Sequence, residues 1–197
     1  MPLDPAAVLA LAAACAPEVA PHTLLAVAQV ESGLDPLAIG VNGPGGRASR
    51  PRTRAQAVEQ ATGLIAAGRN IDLGLAQINS RNLGGLGLSV ADAFDPCRSL
   101  AASARVLAMG YRRAAPQAGR EQAGLRTALS YYNTGHPTRG LANGYVARVA
   151  AAAGTAAAQA PRPIAIAAPP PAWDVFARAR TRPADGFVVT TFSGAQP

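Results

Sequence analysis

One carboxylate in this chain stands where a proton could be held and released. In the run Leu24-Leu25-Ala26-Val27-Ala28-Gln29-Val30-Glu31-Ser32-Gly33, the residues Leu24, Val27 and Ala28 recur at helical spacing and define an apolar stripe. Glu31 falls on that stripe. Pro21 suits the first turn of such a helix, Gly33 suits its end, and Pro36 forbids a simple continuation. Glu31 therefore meets the negative end of a helix dipole, on a face that is partly desolvated. Both effects disfavour ionisation, and a carboxyl group that keeps its proton near neutral pH is what a general acid requires. The blander alternative is a carboxylate that pairs with a buried Arg or caps a loop amide.

Other polar groups recur in short clusters. Gln77 and Asn79 lie in Asn70-Ile71-Asp72-Leu73-Gly74-Leu75-Ala76-Gln77-Ile78-Asn79, on one face of a short extended segment or tight hairpin. Their amides suit a hydroxyl- or amide-bearing ligand, or they are two surface amides of a turn. Tyr131-Tyr132-Asn133-Thr134-Gly135 closes a helix with two of the four tyrosines beside an Asn, a composition that suits a sugar-binding wall or a packed helix end. Tyr145 lies in a last helix with Val146 and Val149.

Several chemistries find no support. His22 and His136 have no His or Cys at ligand spacing, so no metal or other cofactor is expected. Gly43-x-Gly45-Gly46 precedes no Lys-Ser/Thr, and Ser32 lacks a His in any triad motif. Glu18, Glu59 and Glu121 sit in turns or among polar residues. Only Asp35 and Asp72 offer a second carboxylate near the Glu31 constellation.

The elements that would position these groups are helical. One helix spans about Pro5 to Cys15, with Asp4 as its N-cap; the second carries Glu31. Residues 35–52, rich in Gly, Pro and Arg, read as an irregular loop. Thr53-x-x-Gln56 reads as a capping box for a third helix that stops near Gly68. Ser89 opens a short turn, Asp95-Pro96 caps a long helix from about Cys97 to Arg113, and another runs from about Glu121 to Tyr132. After residue 153 Ala and Pro dominate. Residues 154–172 read as an extended linker, and 173–197 as a short tail with apolar islands such as Trp173-Asp174-Val175-Phe176.

The 197 residues suffice for one domain with a core and an appendage. Hydrophobic residues make up 49%, much of it Ala, which points to helices packed through small side chains. No apolar run is long and bulky enough to span a bilayer. The net charge of +7 comes entirely from Arg scattered with few aromatics between them, which argues against nucleic acid and admits an anionic envelope polymer. The N-terminus lacks a basic region, so it does not read as a secretory signal. Cys15 and Cys97 are either two buried thiols or one bridge between helices, and their spacing does not decide.

The order Glu31-Ser32-Gly33, Gly74-Leu75-Ala76-Gln77-Ile78-Asn79, Tyr131-Tyr132-Asn133-Thr134-Gly135 and Tyr145 resembles the soluble lytic transglycosylases, whose motifs run E-S, G-L-M-Q-I-N, A-Y-N-x-G and a later Tyr. Ala76 replaces the usual Met, and Ser130-Tyr131 stands where the family often has Ala before Tyr-Asn. Within the family the chain is most similar to the VirB1-type enzymes of type IV secretion systems.

The resemblance implies a mainly α, lysozyme-like domain over residues 1–153 with a short β-hairpin and a cleft, followed by the Ala/Pro-rich tail. It implies cleavage of the β-1,4 bond between N-acetylmuramic acid and N-acetylglucosamine in peptidoglycan, leaving a 1,6-anhydro end. Glu31 would be the catalytic acid and then base. Ser32, Gln77, Asn79, Tyr132, Asn133 and Tyr145 would bind substrate, with Tyr145 orienting Glu31 or the sugar. It further implies a Cys15–Cys97 bridge, a periplasmic or envelope location, and secretion-system partners met through the tail. The runners-up are a goose-type lysozyme-like hydrolase and a non-catalytic wall-binding assembly factor.

Overall fold

The computed structural model describes residues 1–115 and 120–159. Helix α1 (Pro5–Cys15) begins where Asp4 accepts the N–H of Ala6 at 2.8 Å. Helix α2 (Pro21–Ser32) starts on proline and stops at Gly33, whose φ of 65° turns the chain out of the helix. Leu24 through Ala28 of α2 are all buried, so the middle of α2 runs through the core, while its first turn is partly exposed and Glu31 in its last turn is half-buried.

The stretch 35–52 is not wholly irregular, as its composition suggested. It contains strand β1 (Ile39–Val41), which pairs antiparallel with β2 (Ile71–Leu73) in the register Ile39↔Leu73. β2 pairs in turn with β3 (Ile78–Asn79), giving a three-stranded sheet in the order β1-β2-β3 rather than a lone hairpin. Three residues are too few for an alternation signal. Ile39 is fixed instead by burial and by exchanging both backbone hydrogen bonds with Ser49.

Between β1 and β2 lies α3 (Arg54–Ala66), where Thr53 Oγ1 accepts the Gln56 N–H. Gln56 Oε1 reaches past Thr53 to the N–H of Arg52, so the box closes one residue further back than expected. A 3-10 turn (Ser80–Asn82) and the short helices α4 (Leu83–Leu86) and α5 (Val90–Ala93) follow, and a reciprocal Ser89–Asp92 capping box opens α5. Next come α6 (Pro96–Ala114), N-capped by Asp95, then α7 (Glu121–Thr134), α8 (Arg139–Ala142) and α9 (Tyr145–Gln159). None of the described helices is long and apolar enough to cross a membrane.

Two apolar clusters make the core. One joins α1, α2, α6, α7 and α9 through residues such as Val8, Leu24, Leu100, Leu107, Leu129 and Val146. The other packs the sheet against α3, α5 and α6 through Ile39, Ile71, Leu73, Ala57, Phe94 and Ala102. Helix α6 serves both clusters and so fixes the sheet relative to α2. A Cys15–Cys97 disulfide, Cα–Cα 5.5 Å, ties the end of α1 to the start of α6.

Helix α9 continues through Gln159, so residues 154–159, assigned to the linker on composition, are helical. Ala is the best helix former, and a run of it after a packed turn prolongs the helix. The rest of the linker and the segment 173–197 lie outside the described residues.

Candidate active site

Between the helical cluster and the sheet runs a cleft of about 500 Å³. Glu31 reaches it from the last turn of α2, Asp72 and Asn79 from the sheet, Gln77 from the β2–β3 turn, and Tyr132 and Asn133 from the end of α7. The cleft lining contains two carboxylates and no Arg or Lys.

Glu31 is held from behind. The Tyr145 hydroxyl donates to Glu31 Oε1 at 2.6 Å. Tyr145 is itself 2% exposed, and its backbone N–H donates to Asn143 Oδ1, which fixes the first turn of α9. Burial raises the Glu31 pKa to about 7 and is the largest influence. The Tyr145 hydrogen bond opposes it, the negative charge of Asp72 adds to it, and the cation of Arg148 opposes it. At neutral pH the group is thus poised between its acid and base forms. The same burial, with the negative Glu31 beside it, pushes the Tyr145 phenol upward and keeps it a hydrogen-bond donor.

Asp72 is the group that sequence reasoning undervalued. Its two oxygens accept amide N–H bonds from Asn42 Nδ2 (2.8 Å) and Asn79 Nδ2 (2.7 Å). The signal was present: Ile71 and Leu73 flank it and are fully buried, so strand alternation turns Asp72 to the opposite face. Asn42 carried no local signal, and only the pairing of β1 with β2 brings it to Asp72. Asp35, the other acid considered, is buried away from the cleft and ion-paired to Arg50 at 3.6 Å.

The expected amides reach the cleft by different routes. Asn79 is in β3, but Gln77 is in the tight turn before it, with φ 48°, and its Nε2 donates to Gly74 O and Ala38 O. That turn needs Gly74, whose φ is 71° and where a Cβ would lie 2.0 Å from Ala93 O. Tyr132 clamps it by donating to Ala76 O at 2.6 Å. Asn133 is exposed at the cleft wall and accepts from Asn143 Nδ2.

Ser32 departs from expectation. It is buried and absent from the cleft lining, and its hydroxyl lies 2.7 Å from Leu75 O and 3.1 Å from Ala28 O. It joins α2 to the β2–β3 turn and does not line the cleft. The two departures from the motif pattern are likewise internal: Ala76 is buried with the sheet cluster, and Ser130 Oγ donates to His136 O and accepts from the Gly140 N–H. Among the described residues no three His, Cys, Asp or Glu side chains gather as a metal site.

Residues 9–152 match the family model described as the transglycosylase SLT domain. The chain is 47% identical over 139 residues to a protein of Agrobacterium fabrum named Protein virB1, an alignment covering 71% of this chain and 56% of the relative. It is 45% identical over 152 residues to the Type IV secretion system protein virB1 of Brucella abortus, covering 74% of this chain and 63% of the relative. The chain thus spans about three-fifths of the length of these relatives. No solved structure matches it. With the matched region holding Glu31, the β2–β3 turn, Tyr132 and Tyr145 together, the chain belongs to the transglycosylase SLT domain family.

Proposed function

We propose that the protein is a peptidoglycan lytic transglycosylase that opens the cell wall locally for a type IV secretion apparatus. The observation that carries this reading is Glu31, half-buried in the cleft, hydrogen-bonded by Tyr145 and with its pKa raised to about 7. A group with that pKa can give a proton and take one back at neutral pH.

The chemistry follows from a single carboxyl acting twice. Protonated Glu31 gives its proton to the glycosidic oxygen as the C1–O bond of N-acetylmuramic acid breaks. The substrate's own N-acetyl oxygen bonds to C1 and takes up the developing positive charge. Glu31, now a carboxylate, removes the proton of the C6 hydroxyl. O6 then displaces the N-acetyl oxygen from C1, giving the 1,6-anhydro ring with no water consumed. Tyr145 keeps Oε1 fixed through both steps. Gln77, whose Nε2 is held by Gly74 O and Ala38 O, offers its Oε1, while Asn79 and Asn133 offer amide N–H groups to sugar hydroxyls and N-acetyl groups, and Tyr132 holds the turn that carries Gln77.

The substrate class and the virB1 names of the relatives support an envelope, periplasmic location, and the segment 173–197 remains the proposed point of contact with other secretion components. The test is mass spectrometry of fragments released from purified sacculi: anhydro-ended fragments are expected, one water lighter than the hydrolytic products.

Asp72 favours a second reading. Two carboxylates in one cleft are the equipment of a glycoside hydrolase, with Glu31 as acid and Asp72 activating water. Reducing ends in place of anhydro ends would select that goose-type lysozyme-like activity.

A further inference from the structure

The cleft does not stop at Tyr131. A second cavity of about 270 Å³ shares Asn82, Val106, Tyr131 and Gly135 with the first and continues it between α4 and α6. Its chemistry is different. Where the first cavity has two carboxylates and no cation, the extension has Arg81 and Arg113 and no carboxylate, with Leu86 and Met109 as apolar walls. Both Arg side chains are exposed, and neither is ion-paired to a carboxylate among the described residues. The Arg113 guanidinium lies over the Tyr131 ring at 4.8 Å from its centre, which holds one cation at the junction of the two cavities. Met109, 53% exposed, adds an apolar edge to this cavity.

A neutral sugar does not need two guanidinia that lack a carboxylate partner among the described residues, and guanidinia are suited to binding carboxylates in bidentate fashion. The glycan proposed for the first cavity carries, on each muramic acid, a short peptide with methyl groups and free carboxylates. We propose that the Arg81–Arg113 arm binds this acidic stem peptide, so that the enzyme reads the peptide as well as the sugars. The proposal rests on the peptidoglycan reading of the first cavity. The arm sets which strands are cleaved, favouring those that still bear stems.

Two measurements test it. The first compares kcat/KM on stem-bearing glycan oligomers and on the same oligomers stripped by an amidase, for the wild type and for the double variant Arg81→Glu/Arg113→Glu. Both side chains are exposed, so the variant should fold, and its melting curve checks that. We expect a loss of about tenfold or more on stem-bearing oligomers and a change within about twofold on stripped ones. An equal loss on both would give the arm to the sugar strand, and no loss on either would give it no ligand; both results overturn the proposal. The second measurement needs no catalysis. The probe N-acetyl-L-Ala-γ-D-Glu is titrated into Glu31→Gln protein while the Met109 methyl resonance is followed. A saturable shift, lost on adding the two Arg→Glu changes, is expected, and its absence overturns the proposal. Sacculi that yield no anhydro ends would defeat the transglycosylase reading and leave this binding result standing on its own.

Discussion

The Tyr145 hydroxyl and Glu31 Oε1 meet at 2.6 Å across 114 residues of sequence, and the contact joins the last described helix to the buried helix α2. It acts on Glu31 in the opposite sense to Asp72. The phenol's hydrogen bond favours the ionised carboxylate, while the negative charge of Asp72 disfavours it. The two substitutions should therefore move the pH profile in opposite directions. In the proposed mechanism cleavage requires protonated Glu31, so activity should fall as pH rises through its pKa. Tyr145→Phe raises that pKa and shifts the alkaline limb upward; Asp72→Asn lowers it and shifts the limb downward, each by about one unit or less. Tyr145→Phe also frees the carboxyl to rotate and should lower kcat roughly ten- to hundredfold. Rate–pH curves for the three proteins on one soluble glycan check the signs, and shifts in the same direction would contradict the assignment.

Glu31→Gln should lose activity and gain stability together. The loss is expected at roughly 10²- to 10⁴-fold, the share a positioned acid–base group supplies. The stability change has a definite pH window. Below pH 4.5 Glu31 is protonated whether the chain is folded or not, and the variant and wild type should be alike. Between 4.5 and about 7 the unfolded chain ionises while the folded chain keeps its proton, so the wild type loses ground with rising pH. Above about 7 the deficit levels off at no more than about 3.5 kcal/mol, less to the extent that water reaches the side chain. Tyr145 can still donate to the Gln oxygen, so the fold around the site is retained. Urea titrations at pH 4 and pH 8 should show coincident curves at the lower pH and a more stable variant at the higher.

How far the site was legible depends on which force fixed each residue. Glu31 could be found because an apolar stripe has a period and a carboxylate interrupts it. Tyr145 could be placed only by resemblance, because nothing local connects the start of α9 to the end of α2. The long helices α2, α6 and α7 were visible through their proline starts, Asp95 cap and glycine ends. β1 was not, since a three-residue strand is defined by its partner and not by its own pattern. Ser32 misled because its neighbour is the proposed acid, Glu31. A small polar residue at a helix end is as well used on a buried backbone carbonyl, and here it lies 2.7 Å from Leu75 O. Helix propensity outweighed the compositional boundary at residue 154, where alanine extends α9.

The Cys15–Cys97 bridge closes a loop of 82 residues and should act on stability far more than on catalysis. Constraining an unfolded loop of that length is worth about 4 kcal/mol in the chain-entropy account. Neither cysteine lines the cleft, and both stand on helices already packed through the larger core cluster. The Cys15→Ala/Cys97→Ala protein should therefore unfold at markedly lower denaturant. At low temperature, where it remains folded, it should keep most of its cleavage rate. A rate that collapsed while circular dichroism reported an intact fold would mean that the bridge positions the cleft directly.

Gly74 offers the sharpest test of how the β2–β3 turn serves the site, because Gly45 provides a matched control. Both adopt left-handed backbone, with φ of 71° and 70°. A Cβ at Gly45 would meet nothing within 4 Å, so Gly45→Ala should cost about 1 kcal/mol from conformation alone. At Gly74 the same atom would sit 2.0 Å from Ala93 O, a backbone atom held at the end of α5. Gly74→Ala must push the turn away from α5, at a cost of about 3 kcal/mol or more. The displaced turn carries Gln77 and abuts the Ala76 carbonyl that Tyr132 holds, so the lost alignment should raise KM as well as lower kcat. Thermal melts of the two variants separate the conformational cost from the steric one. Kinetics on the folded fraction then show whether the turn positions ligand-facing amides: equal kinetic effects of the two substitutions would remove the β2–β3 turn from the binding machinery.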